Sequence, residues 1–150
     1  QSLMTEKFPI DIGAFVSFSK TVSESDVYGF AGITGDFAPN HVNEEYMRKS
    51  GYGARIAHGA LMVGYMSTAS SAILDKYARP TPNETAVSLG YDRIRFLGAV
   101  YFGDTITVTY AVTEIAEERR RSSATIKVVN QKGDVVAIAT HILKWVSNTK

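Results

Sequence analysis

The chain has 150 residues, with 16 Lys and Arg against 15 Asp and Glu, and 45% of it is hydrophobic. A net charge of +1 with 21% charged residues leaves no broad basic face for nucleic acid and no polyelectrolyte tail. The absence of cysteine removes disulfide scaffolds, thiolate metal sites and cysteine nucleophiles together, and fits a reducing compartment.

No apolar run approaches the roughly 20 residues that a membrane helix needs, and the N-terminus lacks the basic-then-apolar layout of a signal peptide. The expectation is a cytoplasmic protein that engages neither membrane nor nucleic acid. Gln1-Ser2-Leu3 ahead of Met4 reads as a cloning scar. Residues 4–150 then form one domain, since no repeat or Pro/Ser-rich linker divides them.

In chain order, Phe15 to Ser19 reads as a short strand. Ser23 stands three residues before Asp26, a capping-box start for a helix that runs to about Ile33 and stops near Gly35. Asn43 is a second N-cap, followed by Glu44 and Glu45 at the positive helix end, with Gly51 as the C′ glycine. From Ala57 to Leu74 the helix is unusual. Its apolar residues fall on almost every side, and its polar members (Gly59, Gly64, Ser67, Thr68, Ser70, Ser71) are small, the pattern of a helix buried all round.

The remainder reads as strand. Thr85 to Phe96 is followed, through Gly98 and Gly103, by Thr105 to Thr113, whose Ile106, Val108, Tyr110 and Val112 alternate with small residues. Residues 122–130 and 134–146 form a hairpin across a loop that contains Gly133. Short links favour antiparallel neighbours, so the expected order is a helix and then a meander. A buried helix followed by an antiparallel sheet that curls around it describes an α+β hot dog fold.

Only three histidines are present. Asp36 and His41 lie five apart around Pro39, and such a pair can hold a water between carboxylate and imidazole and move protons near neutral pH. Spacing alone favours a plainer reading, in which Asp36 ends one helix and His41 caps the next segment. Gly59 opens the buried helix, where a bare backbone N–H and the helix dipole favour a developing negative charge; tight helix–sheet packing is the other reason for glycine there. His58 reads as structural, and His141 as a partly buried sheet residue. Ser67 lies about 12 Å beyond Gly59 along the helix and within about 80° of its face. Arg119-Arg120-Arg121 decorates a solvated turn after Glu117-Glu118, and Arg93 and Arg95 share a strand face by period two.

Gly35-Asp36-x-x-Pro39-x-His41, then Gly53-Ala54-Arg55-Ile56-Ala57-His58-Gly59, and later Phe96 to Thr105 with its Gly103-Asp104 turn, resemble the MaoC-like (R)-specific enoyl-CoA hydratases over residues 10–146. The resemblance implies reversible syn addition of water to a trans-2-enoyl-CoA, giving the (R)-3-hydroxyacyl-CoA. By that likeness Asp36 and His41 activate the water, Gly59 N–H receives the thioester oxygen, and Ser67 matches a serine near the carboxylate. No metal or redox cofactor is expected. One departure stands out: the family's Asn is Ala38 here, and its apolar residue before the histidine is Asn40. That change motivates an alternative, a weak or inactive MaoC-like subunit that binds acyl thioesters; a hot dog acyl-CoA thioesterase is a further one. An acyl-carrier protein could replace CoA, but an acidic carrier needs a basic patch, and Arg119–Arg121 is the candidate. A five-stranded sheet leaves an edge strand, which points to a homodimer or higher homo-oligomer.

Overall fold

The computed structural model describes residues 7–150; the reading of residues 1–3 as a scar, with the chain starting at Met4, falls outside the described residues. After strand β1 (Phe15–Thr21), helix α1 (Glu24–Thr34) starts at the expected capping box. Ser23 Oγ accepts from Asp26 N at 3.1 Å, and an Asp26 carboxylate oxygen accepts from Ser23 N at 2.9 Å. Gly35 ends it in the left-handed region (φ 81), which glycine adopts without steric cost. Between the two expected helices a further one-turn helix forms, α2 (Pro39–Val42). Its first residue is Pro39, where a missing N–H costs nothing. Helix α3 (Glu44–Arg48) is capped by Asn43, as expected, but it ends at Lys49, and Gly53 rather than Gly51 takes the left-handed turn.

Helix α4 (Gly59–Tyr77) leads to β2 (Glu84–Phe96), β3 (Thr105–Ala116), β4 (Arg121–Val129) and β5 (Val135–Ser147). All pairings are antiparallel, and the order is β1-β3-β4-β5-β2. The β4–β5 hairpin is as expected. The meander is not: β2 and β3 follow one another in the chain but lie three strand positions apart. That gap is about 14 Å at the usual interstrand spacing, and residues 97–104 are long enough to cross it at about 3.3 Å per residue. The strands with the clearest alternating burial, β3 and β4, lie side by side inside the sheet, and β2 lies on the far side of β5.

The resulting sheet lays Ile106, Val108, Tyr110, Val112, Ile126, Val128 and Leu143 against Leu61, Met62, Met66, Ala69 and Ile73 of α4, which makes the hot dog arrangement. Each large side chain buried there contributes about 1.5–3 kcal/mol of transfer free energy. The helix is not covered all round in this chain, however. Ala60, Gly64, Ser67, Thr68 and Ser71 form an exposed stripe of small residues, because the sheet reaches only one side. Arg93 breaks the period-two reading of Arg93 and Arg95: a register shift between Asp92 and Arg95 places it at φ 54.

Candidate active site

The crossing segment 97–104 gives the site its place. It passes the approach to α4, where Val100 O accepts from Ala57 N at 2.7 Å and Ile56 bridges to Tyr101. The chain around 54–58 is thereby pinned from one side by residues 97–104 and from the other by α2, since Asn40 O accepts from Ile56 N at 3.0 Å. Arg55 braces the same stretch. Its guanidinium donates to Glu44 at 2.7 Å, to the Tyr28 hydroxyl at 2.8 Å and to Glu24 at 3.2 Å, and it stacks over the Phe102 ring at 4.7 Å. The Glu44 carboxylate raises the Arg55 pKa further above its ordinary value, so one permanent cation ties α1, α3 and the crossing segment together.

His41 is carried into this frame by α2 and is buried at 8% exposure. Its Nδ1 lies 2.8 Å from Ile56 O. A carbonyl only accepts, so Nδ1 carries the proton and Nε2 of the neutral ring is left with its lone pair. Asp36 follows left-handed Gly35 and is exposed; its carboxylate accepts from Ala38 N at 3.3 Å, an Asx-type turn that aims the loop into α2. Ala38, where the resembled family has Asn, is the N-cap of α2 and makes no side-chain capping bond. Asn40 supplies a backbone carbonyl to Ile56 and borders the cleft.

Gly59 is the first residue of α4, so its N–H is one of the helix's orphan donors. A Cβ at this position would lie 2.5 Å from Cδ2 of Phe96, whose ring rests on the glycine. His41, His58, Gly59, Met62, Phe96 and Gly98 are among the residues lining a cleft of about 460 Å³ over this end of the helix. The fold thus gathers Asp36, His41 and Gly59 around one end of α4. Ser67 stands apart from them, further along the helix. It is exposed and outside the cleft lining.

The reading of His58 as merely structural missed its position. Side-chain atoms of Asp36, His41 and His58 lie within 4.8 Å of one another, and the His58 ring stacks on His41 with centroids 3.7 Å apart and planes 25° off parallel. A metal ion needs nitrogen lone pairs that converge about 2.1 Å from each ring. Two rings stacked this way have planes that meet far beyond that reach, so the trio does not fit one ion through both imidazoles. The signal available in sequence was adjacency: His58 immediately precedes the site glycine.

His141 is fully buried rather than partly so, between Ser88 Oγ at 2.7 Å and the Tyr110 hydroxyl at 2.8 Å. The Arg119–Arg121 run is not a free basic patch either, because Arg120 is bound to Glu84 and lies over the Phe8 ring.

The MaoC like domain family matches residues 10–134. The chain belongs to that family. Among relatives of this MaoC-like protein, an (R)-specific enoyl-CoA hydratase of Rhodospirillum rubrum is 38% identical over 108 residues, 72% of this chain and 69% of the relative. A 3-hydroxybutyryl-CoA dehydratase of Methylorubrum extorquens is 34% identical over 113 residues, covering 75% and 67%. The solved (R)-hydratase of Aeromonas caviae superposes with a TM-score of 0.75 at 23% identity over 90% of this chain and 96% of that one, which bears on the fold.

Proposed function

We propose that this MaoC-like protein is a hydro-lyase that adds water reversibly to a trans-2-enoyl-CoA, giving the (R)-3-hydroxyacyl-CoA. The observation that carries the reading is the fixed tautomer of His41. Its Nδ1–H is spent on Ile56 O, which leaves Nε2 with the lone pair; the His41 ring lies near the Asp36 carboxylate and lines one cleft with Gly59, the first residue of α4. In the hydration direction Asp36 and His41 hold one water; its oxygen bonds to C3 as a proton passes to this pair. The electron pair of the C2–C3 bond moves toward the thioester oxygen, which takes up charge at Gly59 N–H with the helix dipole behind it. A proton then returns from the same pair to C2, on the face that received the hydroxyl, and the thioester re-forms. Dehydration is the reverse.

CoA is favoured over a carrier protein because Arg120 is already engaged. Cytoplasmic residence and a homodimer complete the proposal. Of the two sheet edges, β1 is short and carries Ser17, Ser19 and Lys20, whereas β2 runs from Glu84 to Phe96 with Val87, Leu89 and Phe96 exposed. A second copy paired along β2 would cover that edge.

The test is the loss of enoyl-thioester absorbance with crotonyl-CoA and with longer and branched homologues, for the protein and for Asp36→Asn. Hydration that falls about 10²–10⁴-fold in the variant is expected, the usual contribution of a positioned acid or base. Release of free thiol would replace the proposal with a thioesterase. Silence across all chain lengths, alongside measurable acyl-CoA binding, would replace it with a binding subunit.

A further inference from the structure

His58 stands at the N-cap of α4 but does no capping: its side chain makes no bond to the helix N–H groups. The ring turns inward instead, is buried at 2% exposure, and places Nε2 at 2.9 Å from the main-chain carbonyl of Asp36. The acceptor is a carbonyl, so Nε2 carries the proton. The His58 ring is stacked on His41 at 3.7 Å and packs against the Phe30 ring, tilted by 56°, at 4.7 Å. His58 Nδ1, by contrast, is buried and has no hydrogen-bond partner. An unsatisfied buried acceptor is costly, and a phenylalanine would fill the same space without it. Keeping an imidazole here points to the work done by its other nitrogen.

We propose that His58 is a positioning residue: its Nε2–H ties the Asp36 main chain to the start of α4, and its ring face sets the plane of His41. Asp36 needs such a tie. It follows a left-handed glycine, is exposed, and its own N–H bonds only locally, to Thr34 Oγ1 at 3.2 Å. Through His58 both water-activating groups are registered to Gly59, the very next residue in the chain. This inference rests on the hydratase reading for its kinetic consequence, but not for its structural one.

The test compares His58→Phe, which keeps a stacking ring and loses the donor, with His58→Gln, which restores an N–H near the position of Nε2. In His58→Phe, kcat on an enoyl-CoA should fall by about 10²-fold, the scale of a misplacement of about 1 Å, with KM nearly unchanged. Amide hydrogen exchange over residues 36–41 should accelerate in the same variant. His58→Gln should recover most of kcat and the slow exchange. Undiminished kcat in His58→Phe, or a glutamine variant as poor as the phenylalanine one, overturns the proposal. If the unmodified protein hydrates nothing, the hydratase reading fails, and exchange decides this proposal: unchanged exchange in His58→Phe overturns it. Should His58→Phe not fold, fast loop exchange in folded His58→Gln overturns it, and wild-type exchange there supports it.

Discussion

At the scale of single residues, Gly59 meets two demands at once. The Phe96 ring lies where a Cβ would go, and in the proposed reaction a thioester oxygen comes within hydrogen-bond reach of the backbone there. In Gly59→Ala the clash falls on the ring of an exposed phenylalanine, which can swing aside, so the fold should survive and the melting temperature should change little. The new methyl would still stand in the oxygen's path. Catalytic efficiency should fall on the order of 10²-fold, comparable to losing one oxyanion donor, while circular dichroism stays native. Full activity in the alanine variant would remove Gly59 from the reaction. Asp36, His41 and Gly59 could be picked out as candidates in sequence because their motifs are local. The placement of His58 could not, because it depends on a bond to a carbonyl 22 residues away.

At the scale of elements, local chemistry predicted what local chemistry controls. The Ser23 box, the Asn43 cap and the Gly133 hairpin all form as their residues dictate. Strand order did not follow, since chain proximity of β2 and β3 says nothing about which faces bury best. The β2–β5–β3 region also holds a titration. Burial depresses the His141 pKa from 6.5 to about 4. Between those values the unfolded chain binds more protons than the folded one, so stability is full above about pH 6.5 and falls as the pH drops toward 4. The loss is on the order of 3 kcal/mol. Urea unfolding of the protein and of His141→Gln at pH 7 and pH 4.5 separates this from carboxylate effects, which both share. The variant should lose clearly less stability on acidification; an equal loss would mean that His141 is not the cause.

At the scale of the whole molecule, one chain leaves two surfaces unexplained: the long β2 edge and the small-residue stripe of α4. Light scattering should therefore give a dimer at micromolar concentration, and Leu89→Lys, on the exposed edge, should shift it toward monomer. A monomeric wild-type protein would overturn the edge-pairing proposal.

Periodicity, caps and turn residues act over a few positions, so the amino-acid sequence by itself determined the capped helix α1, the long helix α4, the strands, the α+β class and the candidate motif residues. The tertiary structure alone decided that β2 crosses to β5, that α4 keeps an open side, and that residues 97–104 and His58 lock Asp36 and His41 against Gly59. Those outcomes depend on which distant surfaces exclude water together and which buried donors find carbonyls, and neither is written in the spacing of neighbouring residues.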